Sequence, residues 1–329
     1  MTVTQIALGC PPLADLATEA VQECVLQPNG AVPLWLDVQD PTDDDLDYLA
    51  RTFSFHPMAL DDCRHVDQHS KLVEYEGYLF LSMAIPHHSA DQSSIEIEEV
   101  QAFLGRHYLV TVHQGSLGVL STVPGLFAKE PGAPRKNGAL HRQADFLLYI
   151  LADQLVDGYF PLLDTMDDQM DQLEDEILEE PTQAMLHRLF TLKQQLVLLR
   201  KVAGPLREAM NAMADHPYPE VRRSTSLYFR NVYDHLTRVY EIIETSRDLL
   251  GNAMDAYLSM VSNRLSEVMK RLTLVTTIFM PISFVVGFGG MNFTRFVPFE
   301  ETWAFAIVLT ALLVMPTGMI LWFRRSKWL

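Results

Sequence analysis

The sequence predicts an α+β membrane protein: an α/β domain, then a long helix that continues into the first of two C-terminal transmembrane helices. Three observations predict it. Residues 272–293 carry no charge, and the segment is long enough for a bilayer-spanning helix of about 20 residues. A second apolar run, 303–323, follows after a short loop, so the two spans form a hairpin. From Glu220 to Met280 there is no proline and Gly251 is the only glycine, so one helix can run from 220 to 287. At roughly 1.5 Å per residue it would be about 100 Å long, far more than a membrane needs, so most of it stands in water.

Composition narrows the partners. The formal net charge of −17 argues against nucleic acid and an anionic lipid surface as main partners and suits the attraction of cations. Cys10, Cys24 and Cys63 are odd in number and lack metal-ligand spacing, which places the soluble part in a reducing cytosol. The N-terminus has no basic region followed by an apolar run, so no signal peptide is expected.

Residues 1 to about 140 read as α/β. Trp35 to Val38 is a short strand. Asp40-Pro41-Thr42 opens an amphipathic helix through Leu46, Leu49 and Phe53, with Asp43, Asp44 and Asp45 in the first turn, where the helix dipole favours acids. His56-Pro57 starts another short helix ending near Cys63. Residues 72–75 and 78–83 form a hairpin around Glu76-Gly77, and 95–104 with 108–113 form a second, turning at Gly105-Arg106. A polar, proline-containing segment from Lys129 to Asn137 marks a boundary.

The chain is helical from about residue 140. Leu151, Leu155, Leu162, Met166, Met170, Leu173 and Ile177 form an apolar stripe. Between Asp153 and Glu180 there is no Lys or Arg among many acids, which reads as a solvated acidic face or as a surface that collects cations. Pro181-Thr182 breaks the helix. A second runs to about Met213, with Gly204-Pro205 as a possible kink, and the two form an antiparallel hairpin.

Lys270-Arg271 precede the first span, and Arg324, Arg325 and Lys327 follow the second. The positive-inside rule puts both ends in the cytosol and the connecting loop outside. Trp303, Trp322 and Trp328 suit interfacial belts. Met269, Leu272, Thr276, Met280, Ser283 and Gly287 recur by threes and fours on one face of the first span. Small polar groups alternate there with flexible apolar ones, while Leu274, Val275, Ile278, Phe279, Ile282 and Val286 make a greasy remainder. Such a mixed face suits a pore lining, or close packing between helices. Two helices cannot enclose a pore, so a lining role requires several copies around an axis.

Gly290-Met291-Asn292, at the outer end of the first of two C-terminal spans and followed by Phe293, resembles the CorA family of divalent-cation channels. Tyr257-Leu258-Ser259, Asn263, Glu267 to Lys270, Leu272-Thr273 and Met280-Pro281 resemble its stalk and pore segment. Trp35-x-Asp37, His56-Pro57-x-Ala59-Leu60, Asp61-Asp62 and Leu109 to His113 resemble its cytosolic domain, and Val232 to His235 its stalk. The resemblance implies a homopentameric funnel with an α/β/α cytosolic domain. Its parts would be the α/β domain (1–138), an acidic helical hairpin (139–219), a stalk helix (220–271), a pore helix (272–290), an external loop (291–302), a second span (303–323) and a basic tail (324–329).

The resemblance further implies influx of Mg²⁺, with Co²⁺ or Ni²⁺ as further cargo, across the cytoplasmic membrane. Gly290, Met291 and Asn292 would form the filter, and Ser266 would join the inner pore face. Gating by intracellular Mg²⁺ would involve Asp62 and Asn231, on facing surfaces of adjacent subunits. Several positions depart from the family pattern: Gly289 replaces an aromatic, Ser266 an asparagine and Asn231 an acid, and Arg295 adds a positive charge to the outer loop.

Mg²⁺ prefers about six oxygens and dehydrates reluctantly, so a conduit that passes it hydrated needs neutral acceptors such as the Asn292 side-chain carbonyl. Met269, Leu272 and Met280 suit a constriction that closes by excluding water. The alternatives are a zinc transporter of the same superfamily, proton-coupled or not, and a two-span signalling protein without a pore. His65, His69, His87 and His88 are the candidate ligands for a borderline metal. Gly287 to Gly290 lacks the lysine of a phosphate loop, and no nucleophile–base motif points to an enzyme or an organic cofactor.

Overall fold

The computed structural model describes residues 2–5, 33–65, 69–89, 94–129, 143–289, 302–326 and 328. Outside them lie Cys10 and Cys24, the boundary segment 130–142, and Gly290, Met291 and Asn292 with the loop up to residue 301. The residues fall into two compact units. One comprises Met1–Asp175 and Gln183–Ala253, the other Glu176–Thr182 and Met254–Leu329.

Strand alternation builds the first unit. β1 (Thr2–Gln5), β2 (Leu34–Gln39), β3 (Lys71–Tyr75), β4 (Tyr78–His88), β5 (Ile95–Gly105) and β6 (Tyr108–His113) form a sheet in the order β1-β2-β6-β5-β4-β3. Only β2 and β6 pair in parallel; the other neighbours are antiparallel. Leu34, Leu36, Val38, Phe80, Phe103, Val110 and Val112 share one face and bury it against α1 (Asp43–Phe53) and α2 (Pro57–Arg64). The opposite face, with Trp35, Leu79, Leu81, Val100, Ala102 and Leu109, is covered by α4 (Ala144–Asp157) and α6 (Gln183–Asp215), while α3 (Gly118–Lys129) packs on α4. The layering is α/β/α.

Local chemistry sets the ends. Thr42 caps α1: its hydroxyl accepts from Asp45 N–H, and the Asp45 carboxylate accepts from Thr42 N–H at 2.9 Å. His56 caps α2, accepting from Met58 N–H at 3.2 Å, and Pro57 begins the helix where a missing N–H costs nothing. Gly77 turns the β3–β4 hairpin at φ +88°, and a Cβ on Gly105 would stand 2.2 Å from the Tyr108 ring. β4 runs past the expected end at Met83 and through Pro86. β3 reaches only to Lys71 opposite Ser82, so at Pro86 β4 is an edge, where a residue without N–H is tolerated.

The remaining helices are α5 (Tyr159–Glu179), α7 (Arg223–Gly289) and α8 (Thr302–Arg325). Gly158 divides the first helical run into α4 and α5. The expected stripe from Leu151 to Ile177 is buried throughout, and Asp164, Asp167, Asp168, Asp171, Glu174 and Asp175 face solvent. In the first unit α4 and α5 run parallel to α7: Phe146 meets Tyr228, and Phe160 meets Arg238. α6 runs antiparallel to α7, with Arg200 against Tyr240 and Asp215 against Arg230. α5 and α6 are therefore antiparallel to each other, as expected. Asp145 ties the starts of α4 and α7 together: its carboxylate, 2% exposed with its residue, accepts from the Arg222 guanidinium at 2.7 and 3.0 Å and from Arg222 N–H at 3.1 Å.

In the second unit α7 continues through Pro281 to Gly289, and α8 continues through Pro316. Arg264 of α7 pairs with Glu180 at 2.8 Å.

Candidate functional site

The second unit presents the expected mixed face as a bare stripe. Ser266, Met269, Leu272, Thr276, Met280, Ser283 and Gly287 are all exposed, Met280 to 68%. Nothing lies within 4 Å of a Cβ built on Gly287. Leu274, by contrast, is buried, with 7% exposed, and Thr277, Ile278, Pro281, Ile282 and Val285 are half-covered. At about 100° per residue the centres of the bare and covered stripes lie roughly 150° apart around the helix. The greasy remainder therefore divides in two. Leu274, Ile278 and Ile282 sit on the covered side, whereas Val275, Phe279 and Val286 stay more than half exposed.

The Thr276 hydroxyl on the bare stripe is oriented. Thr276 Oγ1 donates to the Leu272 carbonyl at 2.9 Å, as neighbouring Thr273 does to Met269 at 2.8 Å. The single hydroxyl proton of Thr276 is thus held by the backbone, and what it offers outward is lone pairs. Gly287 and Gly289 are helical, not parts of a phosphate loop. The filter residues Gly290, Met291 and Asn292 lie outside the described residues.

Two of the motifs in the first unit prove to be one buried network. The parallel register sets Asp37 opposite Thr111. Trp35 Nε1 donates to Thr111 Oγ1 at 2.9 Å, the Thr111 hydroxyl donates to Asp37 Oδ1, and His113 Nε2 lies 3.4 Å from Asp37 Oδ2. Asp37, Thr111 and His113 are all buried. Burial pushes the His113 imidazole toward neutrality, but the Asp37 hydrogen bond and charge outweigh it, so its pKa lies above the ordinary value.

Asp61 and Asp62 of α2 both lie beside nitrogen-bearing side chains of the same chain. Asp61 lies 3.7 Å from His65, and Asp62 is bound by the Lys71 ammonium of β3 at 2.7 Å. Lys71 was not legible as a partner, since nothing in the sequence says that β3 starts beside α2. Asn231 is exposed on α7. One carboxylate bound to an ammonium and one neutral amide do not fit a divalent cation. His235, also in the stalk motif, lies 3.6 Å from Asp153 and 3.9 Å from Asp157.

Two of the candidate histidines, His65 and His87, lie beside carboxylates. His65 stays with Asp61, and His87 Nε2 lies 3.7 Å from Glu96 and from Glu98. Among the described residues no group of three or more His, Cys, Asp and Glu side chains could hold a metal ion.

An α/β/α domain, a long helix with a charge-free apolar end and a second apolar helix make a membrane protein whose spans are left to pack on lipid or on further copies. The chain belongs to the CorA-like Mg²⁺ transporter protein family, which it matches over residues 30–325. It is 34% identical over 316 residues to the cobalt/magnesium transport protein CorA of Thermotoga maritima, covering 96% of this chain and 89% of that one. The complete structure of the CorA magnesium transporter from Methanocaldococcus jannaschii superposes with a TM-score of 0.77 at 23% identity, covering 90% of this chain and 92% of that one. The zinc transport protein ZntB of Yersinia enterocolitica is 24% identical over 179 residues, 54% of each chain.

Proposed function

We propose that this protein is a channel that admits Mg²⁺, and Co²⁺ or Ni²⁺ with it, across the cytoplasmic membrane, with both termini in the cytosol. Five copies surround the pore, and the bare stripe of α7 lines it. The observation that carries this reading is the placement of Met269, Leu272, Thr276, Met280, Ser283 and Gly287 on the side of α7 away from its covered stripe. A hydrated cation presents water hydrogens, and outward lone pairs such as those of Thr276 accept them without stripping the shell. Asn292 repeats the same chemistry at the outer end with a carbonyl oxygen. Met269, Leu272 and Met280 close the path by excluding water. No catalytic step is involved.

The naming of the Thermotoga relative for cobalt and magnesium supports both ions as cargo. The test is uptake into proteoliposomes of Mg²⁺, Co²⁺, Ni²⁺ and Zn²⁺, with and without a pH gradient. Mg²⁺ uptake without a proton gradient is expected. Zn²⁺ uptake that needs the gradient, with none for Mg²⁺, would replace this reading with the zinc-transporter one.

A further inference from the structure

We infer that in this chain the Lys71 ammonium holds the place at Asp62 that a regulatory divalent cation would take, so that Asp62 is not a sensor of intracellular Mg²⁺. The inference rests on the channel reading only for its consequence in gating; the ion pair itself is in the fold.

Lys71 Nζ stands 2.7 Å from Asp62 Oδ2, and the carboxylate side chain is only 24% exposed. A divalent ion gains from a carboxylate mainly through charge. Here the charge is already cancelled, and a tethered ammonium competes at an effective concentration on the order of millimolar. The other cationic and anionic groups of α2 do not restore a site. Asp61 lies beside His65, and Arg64 is paired with Asp43 at 2.9 Å. Asn231, where an acid was expected, brings no second charge. Two features thus point the same way: Asn231 brings no carboxylate, and Lys71 is bound to the carboxylate of Asp62. An arrangement of two facing carboxylates repels itself until an ion arrives, whereas an ammonium–carboxylate pair is satisfied without one. Closure linked to Asp62 would then be insensitive to the ion, because a ligand shifts a conformational equilibrium only through unequal affinity for the two states.

Mn²⁺ bound to the full-length protein in detergent, measured by electron paramagnetic resonance, tests the inference without relying on transport. Asp62→Asn alone should leave the binding curve where it is. Lys71→Gln should add a tighter component, by about thirtyfold for the removal of one positive charge some 4 Å from a divalent ion. Lys71→Gln combined with Asp62→Asn should lose that component again, and Lys71→Arg should match the parent. Weaker Mn²⁺ binding in Asp62→Asn alone would overturn the inference, as would an unchanged curve in a folded Lys71→Gln protein. If Lys71→Gln fails to fold, comparison of the parent with Asp62→Asn decides alone. Failure of the parent to take up Mg²⁺ would sink the channel reading and leave this measurement standing.

Discussion

Residues Ala144–Glu179 and the outer half of α7 are both apolar enough to cross a bilayer, and they end up in opposite circumstances. The most apolar window of the first is 61% buried within the protein; those of α7 and of α8 are each 6% buried. Hydropathy reports what a side chain avoids and not what covers it. In α4 the chain itself supplies the cover, since Leu147, Leu148, Leu151 and Leu155 lie against the sheet and its neighbours. In the outer half of α7 only the stripe around Leu274 is covered, and two further stripes remain: one uniformly apolar, one mixed. A bilayer accounts for the first. The second, with hydroxyls and a glycine among its methionines, is the one the proposed channel would turn toward water between copies of the chain.

The largest expected effect lies at the end of the bare helix. Asn292→Ala removes the proposed ring of carbonyl acceptors and should reduce Mg²⁺ uptake in proteoliposomes to background, with oligomer size on gel filtration unchanged. Normal uptake by the assembled variant would move the filter elsewhere.

The comparison itself can be broken by placing the same charge in both apolar regions. Leu151→Asp puts a carboxylate where the residue is fully buried, and the first unit should fail to fold, the cost being several kcal/mol. Phe279→Asp falls where the ring is 61% exposed. It should leave thermal unfolding of the first unit unchanged in detergent and instead oppose membrane insertion, by about 2.5–3.5 kcal/mol at the centre of a span. If both variants lose the first unit equally, the assignment of one region to core and the other to lipid is wrong.

A smaller effect separates the mixed stripe from the apolar one. Met280→Asp replaces an apolar ring with a wettable, charged one, so an assembled channel should leak. Flux through liposomes under conditions that close the parent measures it, and a variant that closes normally would put Met280 in packing.

Much of the fold was legible because its signals are local. Alternation marked β2, the β3–β4 turn and the β5–β6 hairpin. Thr42 and His56-Pro57 marked two helix starts, and the absence of proline marked α7. What escaped depends on pairing across the chain. β1 and α3 were not expected, and α3 carries Gly118, Pro124 and Gly125, which argue against a helix locally. β4 was cut short at Met83 because the edge that tolerates Pro86 exists only once β3 has ended. The same limit applies to the sites. The stripe from Met269 to Gly287 follows from helical period alone. The Lys71 pairing, the Asp145–Arg222 clamp across 77 residues, and the joining of Trp35 and Asp37 to Thr111 and His113 all need the tertiary fold.

That joined network gives the smallest effect and the sharpest contrast between the regions. Residues 272–293 contain nothing that titrates, so the bare helix contributes no pH dependence of its own. The first unit does. His113 is buried, which alone would favour the neutral ring, but its hydrogen bond to Asp37 and the charge of that carboxylate raise its pKa in the folded state. A group whose pKa is higher folded than unfolded adds stability that is fully present below the unfolded value, about 6.5 for histidine. The contribution is lost as pH rises through the folded value. The first unit should therefore melt at progressively lower temperature as pH is raised from about 6 through the folded pKa of His113. His113→Gln should remove that part of the slope, while Thr276→Val on the bare stripe should leave it intact. Thermal scans of the full-length protein at stepped pH check the sign: stability that rises with pH in the parent and not in His113→Gln would mean that the imidazole is neutral in the fold and that Asp37 does not hold its proton.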